Sequence, residues 1–117
     1  KVMTPVAQEN LRQINEAGGI IVLGSDQSSG PSSHRELELM VAGGISPLDA
    51  IRIATLNAAI FLGKERELRS IEEGKLADMV LLNANPLDDI SNTQEIEGVI
   101  KAGLMVDRSR LDLPVNR

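Results

Sequence analysis

The chain contains no cysteine, no tryptophan, no tyrosine and one phenylalanine, Phe61. Without cysteine there are no disulfides and no thiolate metal ligands, although this alone does not fix the compartment. The scarcity of aromatics confines any core to Ile, Leu, Val, Ala and Met. Basic residues number 12 against 17 acidic ones, for a formal charge of −5. With no Lys/Arg cluster and no stacking aromatics, a nucleic-acid partner is not expected. No apolar run approaches the ~20 residues that span a bilayer, so no membrane partner is expected either. The first residues show no signal-peptide pattern, and the expected location is cytoplasmic. There is one histidine, His34. Alone it cannot build a zinc site, which takes several convergent ligands. Neither a Gly-x-Ser-x-Gly elbow nor a Gly-Lys-Ser/Thr phosphate loop occurs, which argues against a nucleophilic serine and P-loop chemistry.

What is present is about one domain's worth of chain, 117 residues with 42% apolar content. Thr4-Pro5 reads as a helix N-cap and first turn, and Ala7, Leu11 and Ile14 recur at helical spacing. Gly18-Gly19 stops that helix. Ile20-Ile21-Val22-Leu23 then reads as a fully buried parallel strand, with Gly24-Ser25-Asp26 just past its end. Gln27 to Ser33 is a Gly/Pro/Ser loop. Ser33-His34-Arg35-Glu36 has the form of a capping box and predicts a helix running to Gly43-Gly44. Ser46-Pro47-Leu48-Asp49 starts another, with Ile51, Ala54, Ala58 and Leu62 as its inner face and Gly63 as its stop. Beyond a charged connection the period changes. Ile71, the turn 72–75 and Met79-Val80-Leu81-Leu82 read as β structure. Ile96 to Ile100 and Leu104 to Val106 read as a hairpin around Ala102-Gly103. Two zones follow, residues 1–66 and 67–117, and the segment from Arg108 onward reads as a polar, frayed tail.

Asp26 carries the chemistry. A carboxylate beyond the C-terminal end of a buried parallel strand lies where α/β folds place their active groups. It can bind a divalent ion or act as a general base; the bland alternative is a strand-end Asp that caps a turn. His34 faces the same loop and could touch a substrate or shuttle a proton, or simply sit at a helix start without chemical duty. Asp78, beside the Met79–Leu82 run, reads as structural, bonding turn amides. A strand-end phosphoacceptor role for Asp26 is disfavoured, since a receiver-type fold needs several βα repeats and only one is visible.

The ordered series Gly24-Ser25-Asp26, His34-Arg35-Glu36-Leu37-Glu38-Leu39-Met40, Ser46-Pro47-Leu48-Asp49-Ala50-Ile51 and Ala54-Thr55-Leu56-Asn57-Ala58-Ala59 resembles the metal-dependent amidohydrolase superfamily. The likeness continues through Gly74-Lys75-Leu76-Ala77-Asp78-Met79-Val80-Leu81-Leu82, Asn85-Pro86-Leu87 and Val99-Ile100-Lys101-Ala102-Gly103. Within the superfamily it is most similar to the imidazolonepropionase and Xaa-Pro dipeptidase-like branch. Each motif is modest; the series, in order along nearly the whole chain, is specific.

The resemblance implies an α/β fold: the C-terminal fragment of a (β/α)8 barrel, its last helix and strand plus following helices, with part of a small β-sandwich. It implies that Asp26 is both metal ligand and general base, that His34 lies near the substrate, and that the cofactor is a divalent metal, zinc. The implied reaction is hydrolysis of a C–N bond in a small amide or dipeptide-like substrate by metal-activated water. The family's His-x-His pair, its bridging lysine or glutamate and its two later histidines have no counterpart here. The expected partner is therefore the N-terminal part of the same protein. The fragment alone is expected to be inactive, not to bind the metal, and to self-associate through its unpaired strand. A non-catalytic amidohydrolase-like assembly protein is the alternative.

Overall fold

Pro5, whose missing N–H costs nothing in a first turn, opens helix α1 (Pro5–Glu16) in the computed structural model, which describes residues 5–24 and 30–110. Glu9, Arg12 and Glu16 form an ion-paired ladder along one face. The helix ends where expected, with Gly18 at φ 84°. Helix α2 (Gly30–Ala42) follows, and α1 lies across its C-terminal end. The Gln8 side chain donates to the Leu39 carbonyl at 3.0 Å. A Cβ on Gly43 would come within 2.7 Å of the Gln8 Cβ, so this crossing requires glycine.

Helix α3 (Pro47–Ala54) begins as its sequence predicts: the Ser46 hydroxyl accepts from the Asp49 N–H at 3.2 Å. It does not run on to Gly63. The Thr55 hydroxyl donates to the Ile51 carbonyl at 2.7 Å, and the Thr55 N–H turns to the Arg52 carbonyl instead. A side chain competing for a backbone acceptor is a known cause of helix breaks, and a separate helix α4 (Leu56–Phe61) follows. The break also changes the buried face. Ala50, Ile53 and Ala59 are inside, whereas Leu62, expected on the inner face, is 70% exposed.

Three further expectations are corrected. Ile20–Leu23 forms no strand, because no described segment pairs with it. Ile21 and Leu23 pack on the core while Ile20 and Val22 are exposed. Helix α2 starts at Gly30, so Ser33 lies inside it and cannot serve as the cap of a capping box. Ile71 is 85% exposed and joins no strand.

From Met79 to Met105 the β zone matches its reading. Strands β1 (Met79–Leu82), β2 (Ile96–Lys101) and β3 (Leu104–Met105) form an antiparallel sheet in the order β1-β2-β3. Leu81 pairs with Gly98 and Leu82 with Ile96, so Glu97 is an extra residue and the ladder bulges there. The β2–β3 turn puts Ala102 at φ 51° and Gly103 at φ 83°, the two left-handed residues that a tight hairpin favours. Between β1 and β2 a 3-10 helix (Ile90–Gln94) packs on α2, and Ile90 joins Leu37, Met40, Ile45, Ala50 and Ile53 in one core cluster. The second zone thus completes the core of the first.

That core is thin. Among the described residues, its buried side chains are Leu37, Met40, Ile45, Ala50, Ile53, Ala59 and Ile90.

Candidate active site

Segment 20–24 carries the chain up to the position that sequence singles out. Two bonds fix its path. The Asn57 side-chain amide on α4 donates to the Ile21 carbonyl at 2.9 Å, and the Leu23 N–H donates to the Ile53 carbonyl on α3 at 3.4 Å. Asp26 itself, with Ser25 and residues 27–29, lies outside the described residues. The described neighbours that flank it are Gly24, at the end of the tethered segment, and Gly30, the first residue of α2.

His34 sits in the second turn of α2, half-buried. Its Nδ1 lies 2.8 Å from the Thr93 Oγ1 on the 3-10 helix. The Thr93 hydroxyl in turn donates to the Ile90 carbonyl at 3.1 Å. Nearby, the Gln94 side chain reaches Glu38 at 3.3 Å. His34 is therefore held at the junction between α2 and the 3-10 helix, and its Nε2 has no hydrogen-bond partner among the described residues.

Asp78 is structural, as its sequence context suggests. Its Oδ1 accepts the Ala102 N–H at 2.7 Å, and its Oδ2 accepts from Lys101 Nζ at 3.1 Å. These two donors, the backbone amide first, hold its carboxyl below the usual carboxylate range. The carboxylate clamps the positive-φ turn to the start of β1.

Among the described residues, no group of three or more His, Cys, Asp and Glu could hold a metal ion. No described helix is long and apolar enough to cross a membrane. Two residues that matter to the geometry carry no obvious signal in sequence. Asn57 is one polar position in an alanine-rich helix, a weak hint that its amide has a backbone partner. Thr93 sits in an unremarkable polar turn.

A family profile described as "Amidohydrolase family" matches residues 5–106. An ochratoxinase of Aspergillus niger is 41% identical over 86 residues, covering 72% of this chain and 18% of its own length. An imidazolonepropionase of Symbiobacterium thermophilum is 36% identical over 77 residues, 62% of this chain and 18% of that protein. Among solved structures, a Xaa-Pro dipeptidase with methionine bound in its active site superposes with a TM-score of 0.78 at 36% identity. It covers 87% of this chain and 26% of the dipeptidase. The chain thus spans 18% of the length of both these curated relatives.

Proposed function

This chain belongs to the amidohydrolase family, and from that premise we propose that it is the C-terminal portion of a metal-dependent hydrolase that cleaves a C–N bond in a small amide or dipeptide-like substrate. The family match from residue 5 to 106 carries the reading, because it runs through the strand-end motif and both zones in one alignment. In this reading residues 1–66 close a (β/α)8 barrel and residues 67–117 supply part of a β-sandwich. The surface supports a larger assembly. Exposed Ile20, Val22, Val80, Leu81, Leu104 and Met105 are apolar positions that more protein would cover.

Asp26 is the residue we assign to the chemistry. The described residues do not fit a metal centre by themselves, so this chain's contribution to one is the Asp26 carboxylate, with the other ligands coming from the rest of the protein. A divalent ion such as zinc, when bound, lowers the pKa of water toward neutrality. Beside holding the ion, Asp26 would accept a proton at a carboxylate oxygen. The tethers from Asn57 and Ile53 hold the described backbone at Ile21 and Leu23. His34 is assigned to contact the substrate.

The test uses the longer protein that contains this chain. Asp26→Asn should lower hydrolysis of a dipeptide and small-amide panel by about 10²-fold or more, and should reduce bound divalent metal. Unchanged turnover in Asp26→Asn would remove Asp26 from the reaction. A longer protein with neither bound metal nor hydrolysis would point to the non-catalytic alternative.

A further inference from the structure

We propose that Thr93 is a positioning residue for His34, holding the imidazole with its proton on Nδ1 and its lone pair on Nε2. The Thr93 oxygen has two neighbours, Nδ1 at 2.8 Å and the Ile90 carbonyl oxygen at 3.1 Å. A threonine hydroxyl has one proton, and a carbonyl oxygen can only accept. Both contacts are hydrogen bonds in one arrangement alone: the hydroxyl donates to Ile90, and Nδ1–H donates to the hydroxyl. In the reverse arrangement the hydroxyl would point at Nδ1, leaving two oxygen lone pairs facing each other at the Ile90 contact.

The pairing is also held rigidly. Threonine is restricted about χ1 by its branched Cβ. The 3-10 helix that carries it is pinned to α2 by Ile90, which is 7% exposed within the core cluster. His34 is thus oriented by a residue 59 positions away in sequence, from the other zone of the chain. An imidazole whose second nitrogen is fixed by an acceptor presents a defined face to whatever it meets.

The consequence concerns the ligand. Neutral His34 offers Nε2 as an acceptor, so it pairs with a group that donates, such as an amide N–H, an ammonium or a hydroxyl. It does not pair with a carboxylate. This consequence rests on the assignment of His34 to the substrate; the tautomer does not.

In the ¹⁵N-histidine-labelled longer protein that contains this chain, the His34 signals are identified by their loss in His34→Gln, and its two ring nitrogens can be read by long-range ¹H–¹⁵N correlation. At about pH 8.5, well above the ordinary histidine pKa of ~6.5, Nδ1 should show the protonated shift and Nε2 the unprotonated one. Thr93→Val removes the acceptor while keeping the branched shape, and should move the population toward Nε2–H. Thr93→Ser should restore Nδ1–H, which a purely space-filling role for Thr93 would not require. A wild-type ring protonated on Nε2 would overturn the proposal, and this measurement needs no Thr93 variant to fold. A ring that keeps Nδ1–H in a folded Thr93→Val would also overturn it. Hydrolysis plays no part in the readout, so the tautomer and the hydrolase reading can fail separately.

Discussion

Replacing Ile53 by alanine distinguishes two phases for the helix that starts at Ser46. Read as one uninterrupted helix, the sequence puts Ile51, Ala54, Ala58 and Leu62 inside. The structure breaks the helix at Thr55 and puts Ala50, Ile53 and Ala59 inside, with Ile53 at 1% exposure and Leu62 at 70%. Truncating a fully buried Ile to Ala costs about 2–5 kcal/mol, depending on how far the cavity collapses. Helix α3 has only eight residues and its neighbours are flexible aliphatics, so partial collapse is expected and about 3 kcal/mol is a fair centre. With a urea m-value of roughly 1.5 kcal/mol/M, that lowers the midpoint by about 2 M. Leu62→Ala, at an exposed site, should cost no more than about 0.5 kcal/mol. Far-UV circular dichroism is the natural probe, since the chain has no tryptophan or tyrosine. Equal losses for the two variants, or a larger loss for Leu62→Ala, would refute the phase described and favour the continuous helix.

Other expectations concern the β zone and the exposed faces. The folded Asp78 carboxyl lies below its usual range because it accepts the Ala102 N–H and pairs with Lys101. Its contribution is therefore complete above the unfolded carboxylate pKa, ~3.9, and is lost as pH falls through the folded value. Asp78→Ala should accelerate hydrogen exchange at the Ala102 amide, and unchanged exchange there would count against the clamp. Ala102→Gly should be neutral to stabilising by up to about 1 kcal/mol, because relief of the left-handed conformation outweighs glycine's extra unfolded entropy; a clear loss in thermal stability would contradict this. The isolated chain should associate with itself through Ile20–Leu23 and the apolar sheet positions. Light scattering that finds only monomer at micromolar concentration would argue against it.

Sequence conveyed the local signals well. Ser46-Pro47 is a self-contained cap, and Ala102-Gly103 between two apolar runs is a self-contained hairpin. Asp78 was readable as structural in kind but not in partner, since Lys101 and the Ala102 amide lie 23 and 24 residues away. What failed depended on distant groups. Ile20–Leu23 has the composition of a buried strand, but strand pairing is a property of neighbours, and no described segment supplies one. The Thr55 break was hidden because threonine is tolerated inside many helices, and only its hydroxyl geometry decides the outcome. The Thr93–His34 contact joins two zones that differ in periodicity, so no local pattern could connect them. Asp26 was singled out by position and by the family motif, and its assignment still stands on those two grounds.

The Thr55 break has a mechanical side. The backbone entering the Asp26 loop is tied to α3 through the Ile53 carbonyl and to α4 through the Asn57 amide. These ties fall on opposite sides of the break. A continuous helix would move both anchors together, as a rigid rod would. Two short helices meeting at a joint let the anchors move apart or together as the joint bends. The segment 20–24 is in effect hung from a hinge, so bulk added at Thr55 would shift Ile21 and Leu23 without touching them.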